Sequence, residues 1–373
     1  MTRHKLELIG LRKEYDDGNV VAVDGIDLAV ESGETIALLG PSGCGKSTTL
    51  NMIVGLEEPT GGDIHIDGKS VVGRPPGKRN IGLVFQDYAV FTHMTVAKNL
   101  SFGLEVSGLP RSEINRRVGE AAELLGLTDL LQEKATRLGG SQLQRVAIGR
   151  TLVTKPAILL LDEPLSNLEA EARQAMRNEL RRLQNEIGLT IVYVTHDQTE
   201  ALSLANRIAV MSAGKIRQFD ASGTVYNEPA HTFVASFLGS PAMNLVRGEL
   251  RRDGQALAFK SGALTVPLPA RFDAMAPADQ APVTLGIRPE NLRIGQPGDS
   301  GLISTVSVVE PRGPEAALTV EAANTDFAVV VPSAARPEPG EEVSLQFPED
   351  SLVLFSGETD RNLALPHNVE EAA

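Results

Sequence analysis

With 373 residues, the chain is long enough for about two domains, and its 42% hydrophobic and 22% charged residues are typical of a globular protein. No apolar run approaches the roughly 18 residues that span a bilayer, and residues 1–10 lack the apolar segment of a secretion signal, so we expect neither feature. The net charge of −13 argues against general nucleic-acid binding, and the single cysteine, Cys44, excludes an internal disulfide and is typical of a reducing compartment.

Short strands are predicted over the first part of the chain. Residues 6–9 alternate between apolar and polar, and residues 35–39 form the continuous apolar run of a buried strand. Residues 62–71 predict a hairpin around an Asp67-Gly68 turn. Residues 81–85 predict a further buried strand.

Helical and extended patterns then alternate. Helices are predicted over residues 111–126, 142–154 and 169–187, and buried strands over residues 157–162 and 190–196. This alternation indicates an α/β fold in which a mostly parallel sheet is covered on both faces. The segment from about 88 to 155 is predicted to be a helical insertion.

The pattern changes again after about residue 240. Short alternating runs separated by glycine and proline predict a small all-β barrel or sandwich. The excess of acidic over basic residues is concentrated in residues 241–373, and the preceding part is nearly balanced. We place the domain boundary near residue 240.

A phosphate-binding loop follows the strand predicted at residues 35–39. GPSGCGKST matches G-x-x-x-x-G-K-[ST], in which backbone N–H groups and a helix N-terminus surround a phosphate chain. We expect Lys46 to reach the β- and γ-phosphates and Ser47 to ligate Mg²⁺. A glycine-rich turn without a ligand is the alternative, which the complete motif in this context disfavours. The predicted nucleotide-contacting residues here are Gly40, Pro41, Ser42, Gly43, Cys44, Gly45, Lys46, Ser47 and Thr48.

Polar residues stand at the ends of three other predicted strands. Asp162 can hold Mg²⁺ through water, and Glu163 beside it can orient and polarise an attacking water. His196 is a candidate γ-phosphate contact, and the Gln86 amide a candidate contact of the metal or the water. Each residue alone could instead be structural. Their common position at the carboxyl ends of strands, where α/β sheets bind ligands, favours a catalytic site.

An ordered set of motifs resembles the ATP-binding-cassette family over about residues 5–240: the loop at 40–48, Gln86, LGGSQ at 138–142, LLLDEP, SNLE at 166–169 and His196. VFQDYAVFTHMTV, VYVTHDQTEAL, ASFLGSPAMN and LGIRPENL are similar to the ATPase subunits of bacterial carbohydrate-uptake importers of the maltose and glycerol-phosphate type. The resemblance implies a P-loop NTPase domain over residues 1–240, with a RecA-like core and antiparallel β and helical subdomains. It also implies an oligonucleotide-binding-fold-like regulatory domain over residues 241–373.

The resemblance further implies an ATPase that uses ATP and Mg²⁺ and closes as a homodimer. Tyr15 resembles the aromatic residue that stacks on adenine. The segment from Gln86 to Met94, with its apolar Tyr88, Val90 and Phe91, resembles the groove that receives the coupling helix of a membrane subunit, although burial under the helical insertion is the alternative for these side chains. The resemblance implies two transmembrane permease subunits as partners, an indirect link to a solute-binding protein and a position on the cytoplasmic face of the bacterial inner membrane. It favours a sugar as the solute; glycerol phosphate, a polyamine or a modified sugar remains open.

The family's Leu-Ser-Gly-Gly-Gln, which contacts the γ-phosphate bound by the other subunit, is altered here. Gly139 stands at the serine position and Ser141 at the second glycine, whereas Gly140 and Gln142 are retained. Because loss of a hydrogen bond to a charged group costs about 1.5–3 kcal/mol, we expect near-normal ATP binding but slow dimer-dependent hydrolysis. Glu169 likewise replaces the family's aspartate.

Two other functions stay open. A nucleotide-binding structural or regulatory subunit with little hydrolysis is suggested by the altered LGGSQ. A cassette ATPase that acts on DNA or ribosomes is disfavoured by the single cassette, the lack of sustained heptads and the acidic C-terminal part. The C-terminal domain either senses a ligand or supports the dimer.

Overall fold

The computed structural model describes residues 4–253, 256–273 and 280–365. The chain forms two compact units that divide between Ser222 and Gly223. Among the residues described, no helix combines the length and the apolar character needed to cross a membrane. Each unit has a hydrophobic core of its own.

The first unit is a mixture of strands and helices, as the alternating sequence pattern predicts. Its strands are β1 (Leu6–Tyr15), β2 (Val20–Val30), β3 (Thr35–Leu39), β4 (Gly61–Ile66), β5 (Lys69–Ser70), β6 (Ile81–Val84), β7 (Ile158–Asp162), β8 (Thr190–Thr195), β9 (Arg207–Ser212) and β10 (Lys215–Ala221). Its helices are α1 (Lys46–Val54), α2 (Val96–Val106), α3 (Arg111–Leu124), α4 (Gly140–Leu152), α5 (Ala170–Ile187) and α6 (Gln198–Leu204).

A six-stranded sheet of order β10-β9-β3-β8-β7-β6 carries the predicted site. The pairs β3·β8, β3·β9, β6·β7 and β7·β8 are parallel, and only β10 runs antiparallel to its neighbour β9. All five residues of β3 are buried, as expected for a strand covered on both faces. Because parallel strands end at the same edge, the residues that follow β3, β6, β7 and β8 share one edge of this sheet.

A second, four-stranded antiparallel sheet has the order β2-β1-β4-β5. The predicted hairpin joins β4 to β5, and both turn residues have positive φ, 51° at Asp67 and 70° at Gly68. Positive φ at both central residues is the requirement of a type I′ turn, whose twist matches that of the strands.

The helical insertion lies between β6 and β7 and contains α2, α3 and α4. The apolar stripe of α3 is buried at Ile114, Val118, Ala121 and Ala122, as its spacing predicts. The helices approach closely at Gly149 of α4, where an added Cβ would lie 2.7 Å from the Leu100 side chain of α2. Movements of α2 and α4 are therefore closely linked by packing.

The second unit is rich in β-structure. It begins with two short helices, α7 (Ser222–Asn227) and α8 (Thr232–Phe237). Its strands are β11 (Asn244–Asp253), β12 (Ala256–Ser261), β13 (Leu264–Leu268), β14 (Pro282–Ile287), β15 (Arg293–Gly295), β16 (Leu302–Arg312), β17 (Glu315–Ala322), β18 (Thr325–Pro332), β19 (Glu342–Gln346) and β20 (Val353–Ser356). They form two five-stranded antiparallel sheets, β13-β12-β11-β14-β20 and β15-β19-β16-β17-β18, with one shared apolar core.

Candidate active site

The phosphate-binding loop connects β3 to α1 and is enclosed by backbone. A Cβ added at Gly40 would lie 2.3 Å from the Met211 carbonyl oxygen, and one added at Gly45 would lie 2.4 Å from the Ala22 carbonyl oxygen. Gly45 also has a φ of 106°, which side-chain-bearing residues rarely adopt. These two glycines therefore permit a loop shape that no other residue would allow.

Lys46, the first residue of α1, is held inside this loop. Its side chain is buried, and its Nζ donates hydrogen bonds to the Gly40 and Pro41 carbonyl oxygens at 2.8 and 2.9 Å. The positive end of the α1 dipole adds to this charge. Cys44 is also buried in the loop, and burial raises the pKa of its thiol, an effect that the nearby Lys46 charge opposes.

Glu163 directly follows β7 and contacts two of the predicted site residues. His196 Nδ1 lies 3.1 Å from Glu163 Oε1, and Gln86 Nε2 donates to Glu163 Oε2 at 3.4 Å. Glu163 has a φ of 43°, and its backbone N–H donates to the Val194 carbonyl at 3.0 Å. A left-handed conformation at a non-glycine residue costs energy, and here the neighbouring strand β8 holds it in place.

Asp162 ends β7 beside Glu163. Burial raises the pKa of its carboxyl, the Glu163 charge raises it further, and the Lys46 charge opposes both effects. A bound cation would stabilise the ionised form of this carboxyl. Ser47, Gln86 and Asp162 each carry an oxygen atom of the kind that Mg²⁺ prefers as a ligand.

A cleft of about 470 Å³ joins the phosphate-binding loop to Glu163 and His196, and neither Gln86 nor Asp162 is among its lining residues. Its volume is within the usual range of small-molecule sites. The lining residues are Ala22, Ser42, Gly43, Gly45, Lys46, Ser47, Thr48, Glu163 and His196. The structure thus brings the phosphate-binding loop together with the acid and the histidine that were predicted from distant parts of the sequence.

Tyr15 lies beside the cleft but is not among its lining residues. Its hydroxyl donates to a Glu57 carboxylate oxygen, and the Lys13 Nζ lies 5.0 Å from its ring centroid. Burial and the Glu57 hydrogen bond raise the pKa of Tyr15, whereas a hydrogen bond with Thr48 lowers it. Tyr15 therefore contacts the phosphate-binding loop through Thr48.

Two residues near Glu163 were not singled out from the sequence. Ser166 Oγ lies 3.4 Å from Gln86 Nε2 and donates to the Glu163 carbonyl oxygen at 2.9 Å, and Asn167 Nδ2 donates to the Gln86 carbonyl oxygen at 3.1 Å. Both belong to the SNLE motif, whose position directly after the acidic pair was the available signal. These contacts join the segment after β6 to the segment after β7.

Comparisons with known proteins agree with this site. Residues 23–166 match the family described as ABC transporter, residues 239–292 the MalK OB fold domain and residues 285–355 the TOBE domain. The chain is 43% identical to the xylose/arabinose import ATP-binding protein XacK of Haloferax volcanii, over 98% of this chain and 97% of that protein. The chain belongs to the ATP-binding-cassette transporter family. Within it, the chain is an ATP-binding, energy-coupling ATPase subunit of an importer.

Other relatives of the importer branch are similar over nearly the full length. The trehalose/maltose import ATP-binding protein MalK of Thermococcus litoralis is 43% identical over 92% of this chain and 96% of that protein. The sn-glycerol-3-phosphate import ATP-binding protein UgpC 1 of Rhizobium johnstonii is 40% identical over 97% of this chain and 96% of that protein. The resemblance noted in the sequence and the predicted fold class, a P-loop NTPase followed by an OB-fold-like domain, are thereby confirmed.

Among solved structures, cbiO1 of Clostridium perfringens, part of the ABC transporter complex cbiONQ, has a TM-score of 0.57 and 32% sequence identity. The similarity covers 61% of this chain and 92% of cbiO1. An importer ATPase of this family works with a membrane permease and is peripheral to the membrane.

The altered LGGSQ of this cassette ATPase lies at the start of α4. Gly139 is the N-cap residue, and its N–H donates to Gln142 Oε1 at 3.1 Å. Glycine has no side-chain oxygen to accept from the first-turn N–H groups, which a serine at this position would supply. A Cβ added at Gly139 would meet no atom within 4 Å, so a serine has room. None of Gly139, Gly140, Ser141 and Gln142 is among the residues that line the cleft.

Residues 86–94, here called loop 86–94, are attached to the helical insertion. The side chains of Tyr88, Val90 and Phe91 are all half-buried. Their burial is therefore intermediate between an exposed patch and complete burial under the helical insertion. Asn99 of α2 accepts from the Phe91 N–H at 2.9 Å and donates to its carbonyl at 3.0 Å. Arg150 of α4 places its guanidinium 4.4 Å from the Phe91 ring centroid and donates to the Ala89 carbonyl. Asn99 and Arg150 carried no signal in the sequence that separated them from other helical polar residues.

Proposed function

We propose that two copies of this chain bind and hydrolyse Mg-ATP between them and so drive a permease that imports a sugar or sugar derivative. The observation that carries the proposal is the cleft, in which Lys46, Glu163 and His196 come together. Its lining includes most of the phosphate-binding loop, Glu163 and His196, but neither Gln86 nor Asp162, and Gly139, Gly140, Ser141 and Gln142 also lie outside it. We infer that these four residues contact the γ-phosphate of the nucleotide bound by a second copy.

The phosphate chain is bound by Gly40, Pro41, Ser42, Gly43, Cys44, Gly45, Lys46, Ser47 and Thr48. Lys46 neutralises the β- and γ-phosphates, and Tyr15 supports adenine at the rim of the loop. Ser47, Gln86 and Asp162 are the proposed residues for Mg²⁺, which supplies positive charge to the transferred phosphoryl group. The raised pKa of Asp162 supports this role, because a buried carboxylate is stabilised by a cation.

Glu163 orients the attacking water, and His196 contacts the γ-phosphate. The 3.1 Å separation of His196 Nδ1 and Glu163 Oε1 supports a common task for the two side chains. Phosphoryl transfer depends mainly on positioning and on electrostatic stabilisation, so small displacements of either group reduce the rate.

Loop 86–94 is the proposed contact of the two permease subunits, through which the chain acts indirectly on a solute-binding protein. Two exposed apolar side chains of α2, Phe102 and Val106, lie one helical turn apart beside this loop and extend the surface.

We place the chain on the cytoplasmic face of the bacterial inner membrane. A sugar or sugar derivative is favoured because the relatives above are named for pentoses, disaccharides and a glycerol phosphate. Residues 241–373 are the proposed regulatory domain.

The proposal is tested with Glu163→Gln, which keeps the size of the side chain but removes the group that polarises water. We expect this variant to bind Mg-ATP, to remain as a closed dimer in size-exclusion chromatography and to lose hydrolysis by at least about a hundredfold. Lys46→Ala, which removes charge from the phosphate site, is the control and should not dimerise with ATP. Hydrolysis at the wild-type rate by Glu163→Gln, or ATP-driven dimerisation of Lys46→Ala, would contradict the proposal.

A nucleotide-binding regulatory subunit with little hydrolysis is the second candidate, favoured by the missing hydroxyl at Gly139. Steady-state hydrolysis, measured with and without the membrane subunits, separates the two functions. Turnover that increases when the permease is present supports the ATPase, whereas negligible turnover under both conditions supports the regulatory subunit.

A further inference from the structure

Arg173, in the first turn of α5, bonds to the segment that follows Glu163. Its Nε donates to the Leu165 carbonyl oxygen at 3.3 Å, and its Nη2 donates to the Leu168 carbonyl oxygen at 3.2 Å. Both acceptors are backbone atoms of the turn between β7 and α5. The guanidinium therefore fixes the path of the chain directly after the acid that is proposed to orient water.

The same guanidinium faces the segment that follows His196. Its Nη1 lies 3.8 Å from Asp197 Oδ2, and its Nε lies 3.9 Å from Glu200 Oε1. Nη2 contacts only the Leu168 carbonyl and Nη1 only Asp197, whereas Nε lies near both the Leu165 carbonyl and Glu200, so all three nitrogens of the planar group take part. Arg173 thus connects the turn after β7 to the start of α6.

Glu200 is a buried carboxylate that the proposed hydrolysis does not use. It is 2% exposed, and its Oε2 accepts a hydrogen bond from Thr195 Oγ1 at 2.8 Å. Burial raises the pKa of Glu200 and the Asp197 charge raises it further, whereas the Thr195 hydrogen bond and the Arg173 and Arg177 charges oppose this shift. Burying a carboxylate is costly unless it is paired, so this position implies a structural requirement for nearby positive charge, to which Arg173 contributes.

The backbone on both sides of His196 belongs to this network. Thr195 Oγ1, which donates to Glu200, accepts from the Asp197 N–H at 3.0 Å. Asp197 Oδ1 caps α6 by accepting from the Thr199 and Glu200 N–H groups at 2.7 and 3.2 Å. The histidine side chain is 60% exposed, so its placement depends on the backbone that carries it.

We propose that Arg173 is a positioning residue for ATP hydrolysis, which holds the Glu163 and His196 segments in register with Glu200 as its buried anchor. The inference rests on the proposed roles of Glu163 and His196. A lysine would not replace it, because a single ammonium lacks the planar fork that reaches two carbonyls and two carboxylates at once. A displacement of about 1 Å between reacting groups is sufficient to lower a rate by up to about a hundredfold.

The test measures steady-state hydrolysis by the full-length chain, alone and with its membrane subunits, for Arg173→Gln, Arg173→Lys, Glu200→Gln and the pair Arg173→Gln/Glu200→Gln. Both Arg173 variants should lower kcat by roughly ten- to a hundredfold without changing KM for ATP. The pair should be no slower than Arg173→Gln, because residues that act as a unit are not additive. Arg116→Gln is the control, since Arg116 pairs only with Glu113 and Glu120 on α3 among the described ion pairs.

A second measurement separates positioning from loss of structure. In the Glu163→Gln background, Arg173→Gln should still form the ATP-trapped dimer, which requires a folded nucleotide site. A wild-type kcat in the Arg173 variants would overturn the inference, and so would a fall in ATP affinity that matches the fall in kcat. Failure of the proposed function is distinguishable, because it would appear as hydrolysis by Glu163→Gln with Arg173 intact.

Discussion

Residue 139 is the N-cap of α4, and the structure shows how the helix begins there without a serine. Gln142 still accepts from the Gly139 N–H, which is one half of a capping box, and a serine would supply the other half. Glycine is only a few tenths of a kcal/mol worse than serine as an N-cap, so stability is little affected. The effect that we propose for Gly139 therefore concerns the contact with the partner's γ-phosphate.

Restoring the usual order is expected to raise turnover. The double change Gly139→Ser/Ser141→Gly returns a hydroxyl to the N-cap and removes a side chain from the first turn of α4, where close approach to the partner's nucleotide is expected. Hydrolysis in the assembled transporter should increase by roughly ten- to a hundredfold, equivalent to about 1.5–3 kcal/mol. The paired control, Gly139→Ala/Ser141→Gly, occupies the same space without the hydroxyl, and an equal rate in the two double variants would refute this explanation.

At the scale of elements, most strands and helices around the site were predicted from sequence because each carries a strong local pattern, whereas the short helix α6 after His196 was not predicted. The apolar runs of β3, β7 and β8 and the stripe of α3 correspond directly to buried surfaces. Contacts between distant segments had no such pattern. Arg173 reaching the Leu165 carbonyl, and Asn99 holding Phe91, depend on how the elements pack, which local periodicity does not encode.

The departure of Glu169 from the family's aspartate shows the same limit. It is the N-cap residue of α5, and its side chain makes no capping hydrogen bond. The sequence showed the replacement, which lengthens the side chain by one methylene, but not its local structural effect. The structure adds a local consequence, because the longer side chain leaves the first-turn N–H groups of α5 without a side-chain acceptor at the N-cap.

Loop 86–94 and α4 are expected to transmit the permease signal together. Arg150→Gln removes the cation–π contact with Phe91 and the hydrogen bond to the Ala89 carbonyl, while α4 itself remains intact. Stimulation of hydrolysis by the permease should fall by roughly two- to thirtyfold, equivalent to about 0.5–2 kcal/mol, and hydrolysis by the chain alone should be unchanged. Arg116→Gln serves as the control on α3, and an equal loss in both assays would argue against transmission.

At the scale of the whole molecule, we propose that a second copy completes the nucleotide site of the first. The cleft contains the phosphate-binding loop, the acid and the histidine, while the residues that begin α4 lie outside its lining. In a two-fold dimer each copy presents the same two surfaces, so one pairing places both α4 N-termini opposite both clefts. A single sequence does not reveal this arrangement through composition or periodicity; it was inferred from the family resemblance.

Mixed dimers test the shared site directly. Lys46→Ala disables the phosphate-binding loop, and Gly140→Asp places a negative charge where the γ-phosphate of the partner's nucleotide is expected. Each variant alone should be inactive in the assembled transporter. When the two variants are combined, a mixed dimer contains two different sites. In one site the phosphate-binding loop and the partner's α4 N-terminus are both intact, and in the other site both are altered. Random association makes half of the dimers mixed, so hydrolysis should return to roughly a quarter of the wild-type rate if the intact site works independently. If each nucleotide were processed within one chain, mixing would restore nothing, and a rate no higher than that of the separate variants would exclude the shared site.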